Sequence, residues 1–354
     1  MNLIDLGWSS YFENNFERFK SDGHLAARIA QEYKRNYIVL GDNGELLAEV
    51  SGKFRFEADS RGKYPTVGDW VAVSIPSNNE RAIIHALLPR QSAFVRKEAG
   101  ILIEEQVVAA NIDTVFIVCG LDGNFNLRRI ERYLTLAWES GARPVILLNK
   151  SDLCQQLEMR ISEVESMAIG VPVLAISAVE GKGFEVLEKY INRGKTAAFL
   201  GSSGVGKSSI INRLLGEEKL QIGEVSNAGN RGRHTTTYRQ LIILPEGGMV
   251  IDTPGMRELQ VWGDEGGLRQ VFDDIEELAS NCRFRDCAHK SEPGCAVQAA
   301  IADGSLDAER FQSYRKLKRE LRYLAARQTM KANAVEKLRW KQIAQFQKSY
   351  KKGK

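Results

Sequence analysis

Short apolar runs separated by turn residues dominate the chain as far as residue 90. "RNYIVLGDNGELLAEVSGKFRF" places two such runs on either side of "DNG", which is a hairpin signal, and "VGDWVAVSI" and "RAIIHALLP" continue the pattern of short strands. This succession predicts a small barrel or sandwich, and we expect an all-β barrel of the OB type. Such barrels often bind nucleic acid, although a barrel could also serve only as a spacer.

From residue 111 onward, apolar runs alternate with helical patterns. The strand-like runs are "DTVFIVCG", "PVILLNK", "VPVLAISA", "TAAFLG" and "GGMVIDTPG", and the helical stretches include "NLRRIERYLTLAWESG" and "GFEVLEKYI". This alternation predicts an α/β domain in which helices cover both faces of a parallel sheet. Because such folds bind ligands at the carboxyl ends of their strands, the loops at these ends are the candidates for chemistry.

After residue 271 the pattern is helical and is interrupted by a cluster of cysteines. Spacings of three and four predict an amphipathic helix with a basic outer face, whose apolar positions are Phe311, Tyr314, Leu317, Leu321 and Leu324. We therefore expect three domains: a β-rich domain over residues 1–95, an α/β domain over 96–270 and a helical domain over 271–354.

The net charge of +4 conceals a basic C-terminal segment. From Arg310 to Lys354 there are 15 Lys and Arg against two Glu, a local charge of +13, so the rest of the chain carries −9. A basic tail on an otherwise acidic protein favours a polyanionic partner, although a solvated helix face would look the same. A composition that is 43% hydrophobic and 27% charged, without a transmembrane run or a signal-peptide pattern, predicts a cytoplasmic globular protein.

A phosphate-binding loop is the clearest motif. The segment from Gly201 to Ser208 fits G-x-x-x-x-G-K-[ST] and lies between the strand-like "TAAFL" and the helix-like "SSIINRLLG". Its backbone N–H groups would converge on phosphates at the helix N-terminus, Lys207 would reach the β- and γ-phosphates, and Ser208 would bind Mg²⁺. The residues expected to line the nucleotide here are Gly201, Ser202, Ser203, Gly204, Val205, Gly206, Lys207, Ser208 and Ser209.

The fragment "NKSD" predicts that the base is guanine. Asp152 can accept hydrogen bonds from guanine N1–H and the 2-amino group, whereas adenine offers neither donor. Asn149 can brace the loop and contact N7, and the stem of Lys150 can lie along the base. A backbone N–H at Ser177–Ala178, which ends the next strand, can meet guanine O6.

Two further segments concern the γ-phosphate. In "IDTPG", Asp252 is placed to hold Mg²⁺ through a water, and the Gly255 N–H can meet the γ-phosphate. In "GNRGRHTTTYR", one residue of Thr235 to Thr237 is expected to ligate Mg²⁺ in the GTP state, and Thr236 is the favoured one. Met256 stands where many GTPases have a water-orienting glutamine, so His234 is the candidate that positions the water, unless it is a loop histidine contacting phosphate or RNA.

The order of these motifs is reversed relative to an ordinary GTPase, because the guanine reader precedes the phosphate loop. A parallel sheet tolerates such a cut if the old termini are joined, and residues 190–196, "YINRGKT", would be the join. The arrangement predicts a circularly permuted P-loop GTPase domain. It also sends the chain from "DTPG" almost directly into the cysteine-containing region.

Four metal-ligand side chains fall within 14 residues: Cys282, Cys287, His289 and Cys295. Three thiolates and one imidazole complete a tetrahedral zinc site with no open position, which is typical of structural rather than catalytic zinc. Arg283, Arg285 and Lys290 lie on the same loop and suit contact with RNA. His24 and His85 stand alone in the sequence and are expected to have only structural roles.

The full set of motifs resembles one family, the bacterial ribosome small-subunit-dependent GTPase A, RsgA or YjeQ. The resemblance rests on "PTVGDWV", the permuted "NKSDL", "GSSGVGKSSIIN", "GRHTTT" and "DTPGM", and the C-x4-C-x-H-x5-C cluster. It implies an OB fold, a permuted GTPase domain and a zinc domain. It also implies a monomer that acts late in assembly of the 30S subunit, binds 16S rRNA and is stimulated by that particle.

Two other functions stay open at this point. A permuted GTPase of large-subunit assembly would share the nucleotide motifs, but would not be expected to carry both the barrel and the cysteine cluster. A GTP-regulated RNA-binding module with little turnover is disfavoured by the intact Lys207, Ser208 and Asp252.

Overall fold

The computed structural model of the chain describes residues 2–33, 36–76, 81–97, 105–217, 239–252 and 265–326. These residues form two compact units, and the described residues up to 252 make the first while 265–326 make the second. The barrel and the α/β sheet thus belong to one unit, and the domain limits at residues 95 and 270 stay predictions. Within the described ranges, no helix is long and apolar enough to cross a membrane.

The N-terminal region forms a five-stranded barrel. Its strands are β1 (Leu25–Glu32), β2 (Tyr37–Gly41), β3 (Gly44–Val50), β4 (Trp70–Ser74) and β5 (Arg81–Leu87). They follow the order β1-β2-β3-β5-β4, and β4 closes the barrel by pairing with β1. The predicted barrel and its β2–β3 hairpin are therefore confirmed. Its interior is filled by apolar side chains, including Ile29, Val39, Val71, Val73 and Ile84.

In the described part of this region, two α-helices accompany the barrel, α1 (Ser10–Ser21) and α2 (Gly52–Glu57). The α1 side chain of Phe12 is buried beside Trp70, with ring centroids 5.7 Å apart, and Trp8 meets the same indole edge-on at 4.7 Å. This aromatic cluster attaches the N-terminal segment to strand β4.

The segment "TVGDWV" is closely packed, and this packing explains its glycine and its aspartate. Gly68 has φ +90°, and a Cβ there would lie 2.1 Å from the Ala110 carbonyl oxygen, so only glycine fits. The buried Asp69 carboxylate accepts two hydrogen bonds of 2.8 Å from the Arg90 guanidinium and one from the Thr66 N–H. This buried ion pair fixes the turn that enters β4.

A hairpin and a six-stranded sheet follow the barrel. The hairpin is β6 (Ala93–Lys97) with β7 (Glu105–Ala110), and the sheet strands are β8 (Thr114–Gly120), β9 (Arg143–Asn149), β10 (Val173–Ala175), β11 (Thr196–Leu200), β12 (Gln240–Ile243) and β13 (Met249–Asp252). The order is β10-β9-β8-β11-β13-β12, with every neighbouring pair parallel except β12–β13. The predicted parallel α/β sheet is confirmed.

Among the described residues, three α-helices accompany this sheet: α3 (Leu127–Ser140), α4 (Leu157–Met167) and α5 (Lys207–Leu215). The stretch "GFEVLEKYI", predicted to be helical, is a 3-10 helix over Phe184–Lys189. The core beneath the helices includes Phe116 and Phe199, whose rings stack with centroids 5.2 Å apart.

The barrel is joined to the α/β sheet through its first strand. Gln31 of β1 pairs with Gln240 of β12, so the barrel strands and the α/β strands form one continuous hydrogen-bonded sheet. Beside this bridge, Arg239 contacts Glu32 with an N–O distance of 3.1 Å.

Arg28 is the main buried polar group of this joint and is 1% exposed. Its guanidinium donates to the carbonyl oxygens of Leu6 at 2.5 Å, Gly68 at 3.2 Å and Asn111 at 2.9 Å, and lies 3.5 Å from the Met249 sulfur. Burial lowers the pKa of Arg28 to about 10, so the group is still charged at neutral pH. One side chain thus ties together the N-terminal segment, the barrel and strand β13.

The proposed join of the permuted termini, residues 190–196, runs beside the N-terminal segment. Arg193 and Asp5 form a paired interaction with N–O distances of 2.5 and 2.9 Å, and the Gly194 N–H donates to the Gly247 carbonyl. The join is therefore ordered and packed before it enters β11.

The second unit is helical, with α6 (Gly266–Val271), α7 (Asp273–Ser280), α8 (Ala296–Ala302) and α9 (residues 308–326). All five predicted apolar positions of α9 are buried, and Lys316, Arg319 and Arg322 are exposed, so the amphipathic pattern is confirmed. Arg310 pairs with both carboxylate oxygens of Asp274, at 2.8 and 2.9 Å, which attaches α9 to α7.

Candidate nucleotide site and Cys–His cluster

The guanine-reader and phosphate-loop motifs lie at the same edge of the sheet. β8, β9 and β11 are parallel neighbours, with Gly120 opposite Asn149 and Leu200 opposite Ile117. Asn149 is the last residue of β9, and Gly201 directly follows β11. The topology thus brings together two motifs that are about fifty residues apart in the chain, as expected for a parallel sheet.

Glycines of the phosphate loop sit where no other residue fits. Gly206 has φ +98°, and a Cβ there would lie 2.2 Å from the Asn149 Nδ2 atom. A Cβ on Gly201 would lie 2.5 Å from the Val118 carbonyl oxygen. Both positions are strained or blocked for any side chain, so the backbone can pass close to its neighbours and aim its N–H groups outward.

Lys207 opens helix α5 directly after this loop. Its Nζ donates to the carbonyl oxygens of Gly201 and Ser202, each at 2.7 Å, so the ammonium group lies against the first residues of the loop. Ser208 and Ser209 follow in the first helical turn and are partly exposed. Asp252 ends β13, the strand next to β11, and is also partly exposed.

Asn149 connects three loops. Its side chain is buried, donates from Nδ2 to the Val205 carbonyl at 2.8 Å and accepts at Oδ1 from the Ala178 N–H at 3.0 Å. The first bond reaches the phosphate loop and the second reaches the "SA" segment. One amide therefore sets the spacing between the places where phosphate and base would bind.

Lys150 and Asp152 of "NKSD" also have partners. Lys150 adopts a left-handed backbone with φ +64°, and its Nζ lies 2.5 Å from an oxygen of Asp122. Burial acts to raise the pKa of Asp122, but the hydrogen bonds from Lys150 and the Asn124 N–H outweigh it, so this pKa lies below its ordinary value. The exposed Asp152 accepts a hydrogen bond of 2.5 Å from the buried Ser177 hydroxyl.

Two residues that sequence reasoning missed join this cluster. Asp122 orients Lys150, and Arg129 of α3 donates to the Ser202 hydroxyl at 3.0 Å. Within the described ranges, Arg129 forms no ion pair, although it is only partly exposed. Asp122 lies just after the end of β8, and this position at a strand end could have indicated a functional residue. The sequence contains no comparable signal for Arg129.

Three of the predicted site residues, His234, Thr236 and Gly255, lie outside the described residues, as does Met256. Their predicted contacts with the γ-phosphate, Mg²⁺ and the attacking water therefore stay predictions. Among the described site residues, Gly201 to Ser209, Asn149 to Asp152 and Ser177–Ala178 come together, with Asp252 on the strand beside them.

The four predicted metal ligands converge in the second unit. Their ligand atoms, the Sγ atoms of Cys282, Cys287 and Cys295 and a ring nitrogen of His289, all lie within 4.8 Å of one another. Cys282 Sγ is 3.9 Å from Cys295 Sγ, and His289 Nδ1 is 3.6 and 3.5 Å from these two sulfurs. Such spacings suit a tetrahedral ion with S–metal bonds of about 2.3 Å. The cluster could therefore hold a metal.

The surroundings of the cluster act in opposite directions on two of its thiols, since burial raises the pKa of Cys287 to about 11 whereas the pKa of Cys282 is lowered. Burial acts to raise the pKa of Cys282, but the backbone N–H groups of Val297 and Ala296 and the neighbouring thiols outweigh it and lower this pKa. The Gln298 amide donates to the His289 carbonyl at 2.9 Å, which supports that residue in its left-handed conformation of φ +54°. The Phe311 ring meets the imidazole edge-on at 6.1 Å.

Comparison with known proteins gives consistent matches. The family model of the RsgA GTPase matches residues 87–262. A protein of Opitutus terrae called small ribosomal subunit biogenesis GTPase RsgA is 48% identical, over 99% of this chain and 98% of its own length. A protein of the same name from Syntrophotalea carbinolica is 42% identical, again over 99% and 98%.

Two solved structures share the fold. YjeQ from Thermotoga maritima superposes with a TM-score of 0.63 and 28% identity, over 84% of this chain and 98% of its own. YloQ, described as a circularly permuted GTPase, gives a TM-score of 0.61 at 24% identity, over 84% and 95%. The predicted circular permutation is thereby confirmed, and the chain belongs to the RsgA GTPase family.

Proposed function

We propose that this GTPase hydrolyses GTP to GDP and phosphate as a late assembly factor of the small ribosomal subunit. The end-to-end match to relatives named for small-subunit biogenesis supports this assignment most strongly. No finding favours large-subunit assembly or a binding module without turnover. The intact phosphate loop, with Lys207 held at its mouth, is what a working GTPase needs.

Guanine would be read by Asp152, whose carboxylate is exposed at the site edge and steadied by the Ser177 hydroxyl. Lys150 would lie along the base, since Asp122 holds its ammonium group. The Ala178 N–H already donates to Asn149 Oδ1, so guanine O6 would share that donor with Asn149. The buried Asn149 would then act mainly by spacing the loops and only secondarily through N7.

The phosphates would lie on the N–H groups of Gly201 to Ser209, with Lys207 moving from the loop carbonyls to the β- and γ-phosphates. Mg²⁺ would be held by Ser208 and Thr236, and by Asp252 through a water, and would draw negative charge from the phosphate oxygens. His234 would position the attacking water, because the methionine at position 256 has no polar group for that task.

The Cys–His cluster would hold one structural zinc ion. Three sulfurs and one imidazole are a donor set that zinc prefers. Because these four protein ligands would fill the tetrahedral coordination sphere, no position is left for a water molecule. The loop from Cys282 to Cys295 contains little regular structure, and the metal would fix its shape.

The partner would be the 30S subunit with its 16S rRNA. The protein would bind it as a monomer in the cytoplasm. The barrel and the basic C-terminal region, with exposed Lys316, Arg319 and Arg322 on α9, would contact phosphates. Binding should therefore weaken steeply as salt rises, because each contact releases counterions.

The deciding experiment compares GTP hydrolysis by the full chain alone, with purified small subunits and with large subunits. We expect slow hydrolysis in the free protein and strong stimulation by small subunits only. His234→Ala should remove most of the stimulated rate, by about 10²–10⁴-fold, while GTP affinity and subunit binding are retained. Equal stimulation by both subunits, or none by either, would refute the assignment.

A further inference from the structure

The barrel displays a phenylalanine almost entirely in water. Phe56, near the end of α2, is 92% exposed, although an aromatic side chain of this size is normally at least partly covered. Single exposed apolar side chains are common on folded surfaces, so the exposure of Phe56 gains meaning only from the helix that holds it and from the charges beside it.

The position of Phe56 follows from how α2 is held. The Ser51 hydroxyl caps the helix by accepting from the Phe54 N–H at 3.0 Å, and the Phe54 ring is buried in the barrel core against Tyr64. Two residues further along a helix correspond to a rotation of about 200°, so the ring of Phe56 must face away from the core. The ring is therefore held outward by a fixed helix and not by a loose loop.

The ring lies in a basic stretch of sequence. Lys53, Arg55, Arg61 and Lys63 fall within eleven residues around it. Lys53 and Lys63 contact Glu57 and Asp59 at 3.9 and 2.8 Å, but these pairs are well exposed and weak in water. Arg55, next to Phe56, is exposed and forms no ion pair in the part of the chain that the structure describes.

We propose that Phe56 stacks on an unpaired base of the RNA partner while Arg55 contacts the adjoining phosphate. This inference rests on the proposed function and adds to it a defined contact on the barrel. A stacking aromatic flanked by cations is how proteins hold single-stranded RNA without reading its sequence. A protein partner would instead favour an apolar cluster at this position, whereas the residues next to Phe56 in the chain, Arg55 and Glu57, are charged and exposed.

The test uses the full chain and two ligands: a fluorescent twelve-nucleotide oligoadenylate, followed by anisotropy, and purified small subunits, followed by co-sedimentation. Phe56→Ala should weaken binding about 5- to 150-fold, the range expected for one stacked base. Phe56→Tyr should bind like the unchanged protein, but Phe56→Leu should bind like Phe56→Ala. Ile169→Ala, at a residue that is 80% exposed on another part of the surface, is the matched control and should change nothing.

Salt dependence separates the two residues. The Phe56 variants should shift affinity equally at all salt concentrations, whereas Arg55→Gln should reduce the slope of log affinity against log salt by about one. Retained affinity of Phe56→Leu for small subunits would indicate an apolar protein pocket and would overturn the stacking assignment, as would full affinity of Phe56→Ala for small subunits. If the unchanged protein itself bound neither ligand, the proposed function would fail instead.

Discussion

The amide of Asn149 offers a sharp test of how the nucleotide site is built. Asn149→Asp changes one NH₂ group into an oxygen and leaves the shape of the side chain unaltered. Oδ1 could still accept from the Ala178 N–H, but the second oxygen would face the Val205 carbonyl, to which Nδ2 now donates at 2.8 Å. A favourable contact between the guanine loop and the phosphate loop thus becomes a repulsive one.

The expected loss can be estimated from this geometry. Leaving the buried Val205 carbonyl without its donor costs about 1–3 kcal/mol, and the added repulsion brings the total to about 2–4 kcal/mol. If this cost falls on the arrangement that binds nucleotide, affinity decreases by roughly 30- to 1000-fold. GTP and GDP should lose equally, because neither bond of Asn149 involves the γ-phosphate.

The loss should also depend on pH. Burial and the facing carbonyl would raise the pKa of the new carboxyl group above that of an ordinary aspartate. Below its raised pKa the group is protonated and can donate to the Val205 carbonyl, so affinity recovers as pH falls and is weakest at high pH. Asn149→Ala loses both bonds and should be weak at every pH.

The assay is a titration with fluorescent GDP and GTP analogues at pH 6 and pH 8, accompanied by thermal unfolding to confirm that each variant is folded. Asn192→Asp, at an exposed asparagine in the join, introduces the same charge without touching the site and should bind normally. Unchanged affinity of Asn149→Asp at pH 8 would show that the bond to Val205 does not set the geometry of the loops.

Three other variants test separate parts of the molecule. Asp152→Asn should exchange the preference for guanosine for one for xanthosine triphosphate in competition titrations, and unchanged GTP affinity would remove its role as base reader. Cys287→Ala should lose bound zinc in elemental analysis and unfold the second unit while GTP binding persists, whereas a metal-free but fully folded natural protein would exclude structural zinc. Arg28→Lys should lower the free energy of unfolding in urea by about 2–4 kcal/mol, since a compact ammonium group cannot reach the three buried carbonyls that separate nitrogens of the planar guanidinium contact; an unchanged urea midpoint would contradict this.

Local patterns in the sequence were sufficient for the elements and their buried faces. The spacing of Phe311, Tyr314 and Leu317 predicts the buried face of α9, because a helix repeats its side-chain directions every three to four residues. The ends of β9 and β11 were also predictable, since the motifs stand directly after apolar runs. Parallel topology then brings these loops to one edge without any further information.

Contacts between distant segments were not predictable in this way. His24 and His85 stand far apart in the sequence, but their rings lie 4.6 Å apart on the barrel, a contact that the sequence alone does not show. The burial of Arg28 could not be predicted either. Its three acceptors are backbone carbonyls, which every residue has, so no residue type in the sequence indicates them. Contacts of this kind depend on how the strands of a sheet pair with one another. The spacing of apolar residues along the chain does not predict that pairing.

Strand β13 connects the contact with the barrel to the proposed nucleotide site. Met249 at its beginning lies against the Arg28 guanidinium of the barrel, and Asp252 at its end is a proposed ligand of Mg²⁺ through water. Three residues of extended strand separate them by only about 10 Å. A force applied to the barrel by a bound partner would therefore reach the nucleotide site through one short strand. Arg28→Lys should therefore lose stimulation of GTP hydrolysis by small subunits to a greater extent than it loses affinity for them, and equal losses of both would contradict this route.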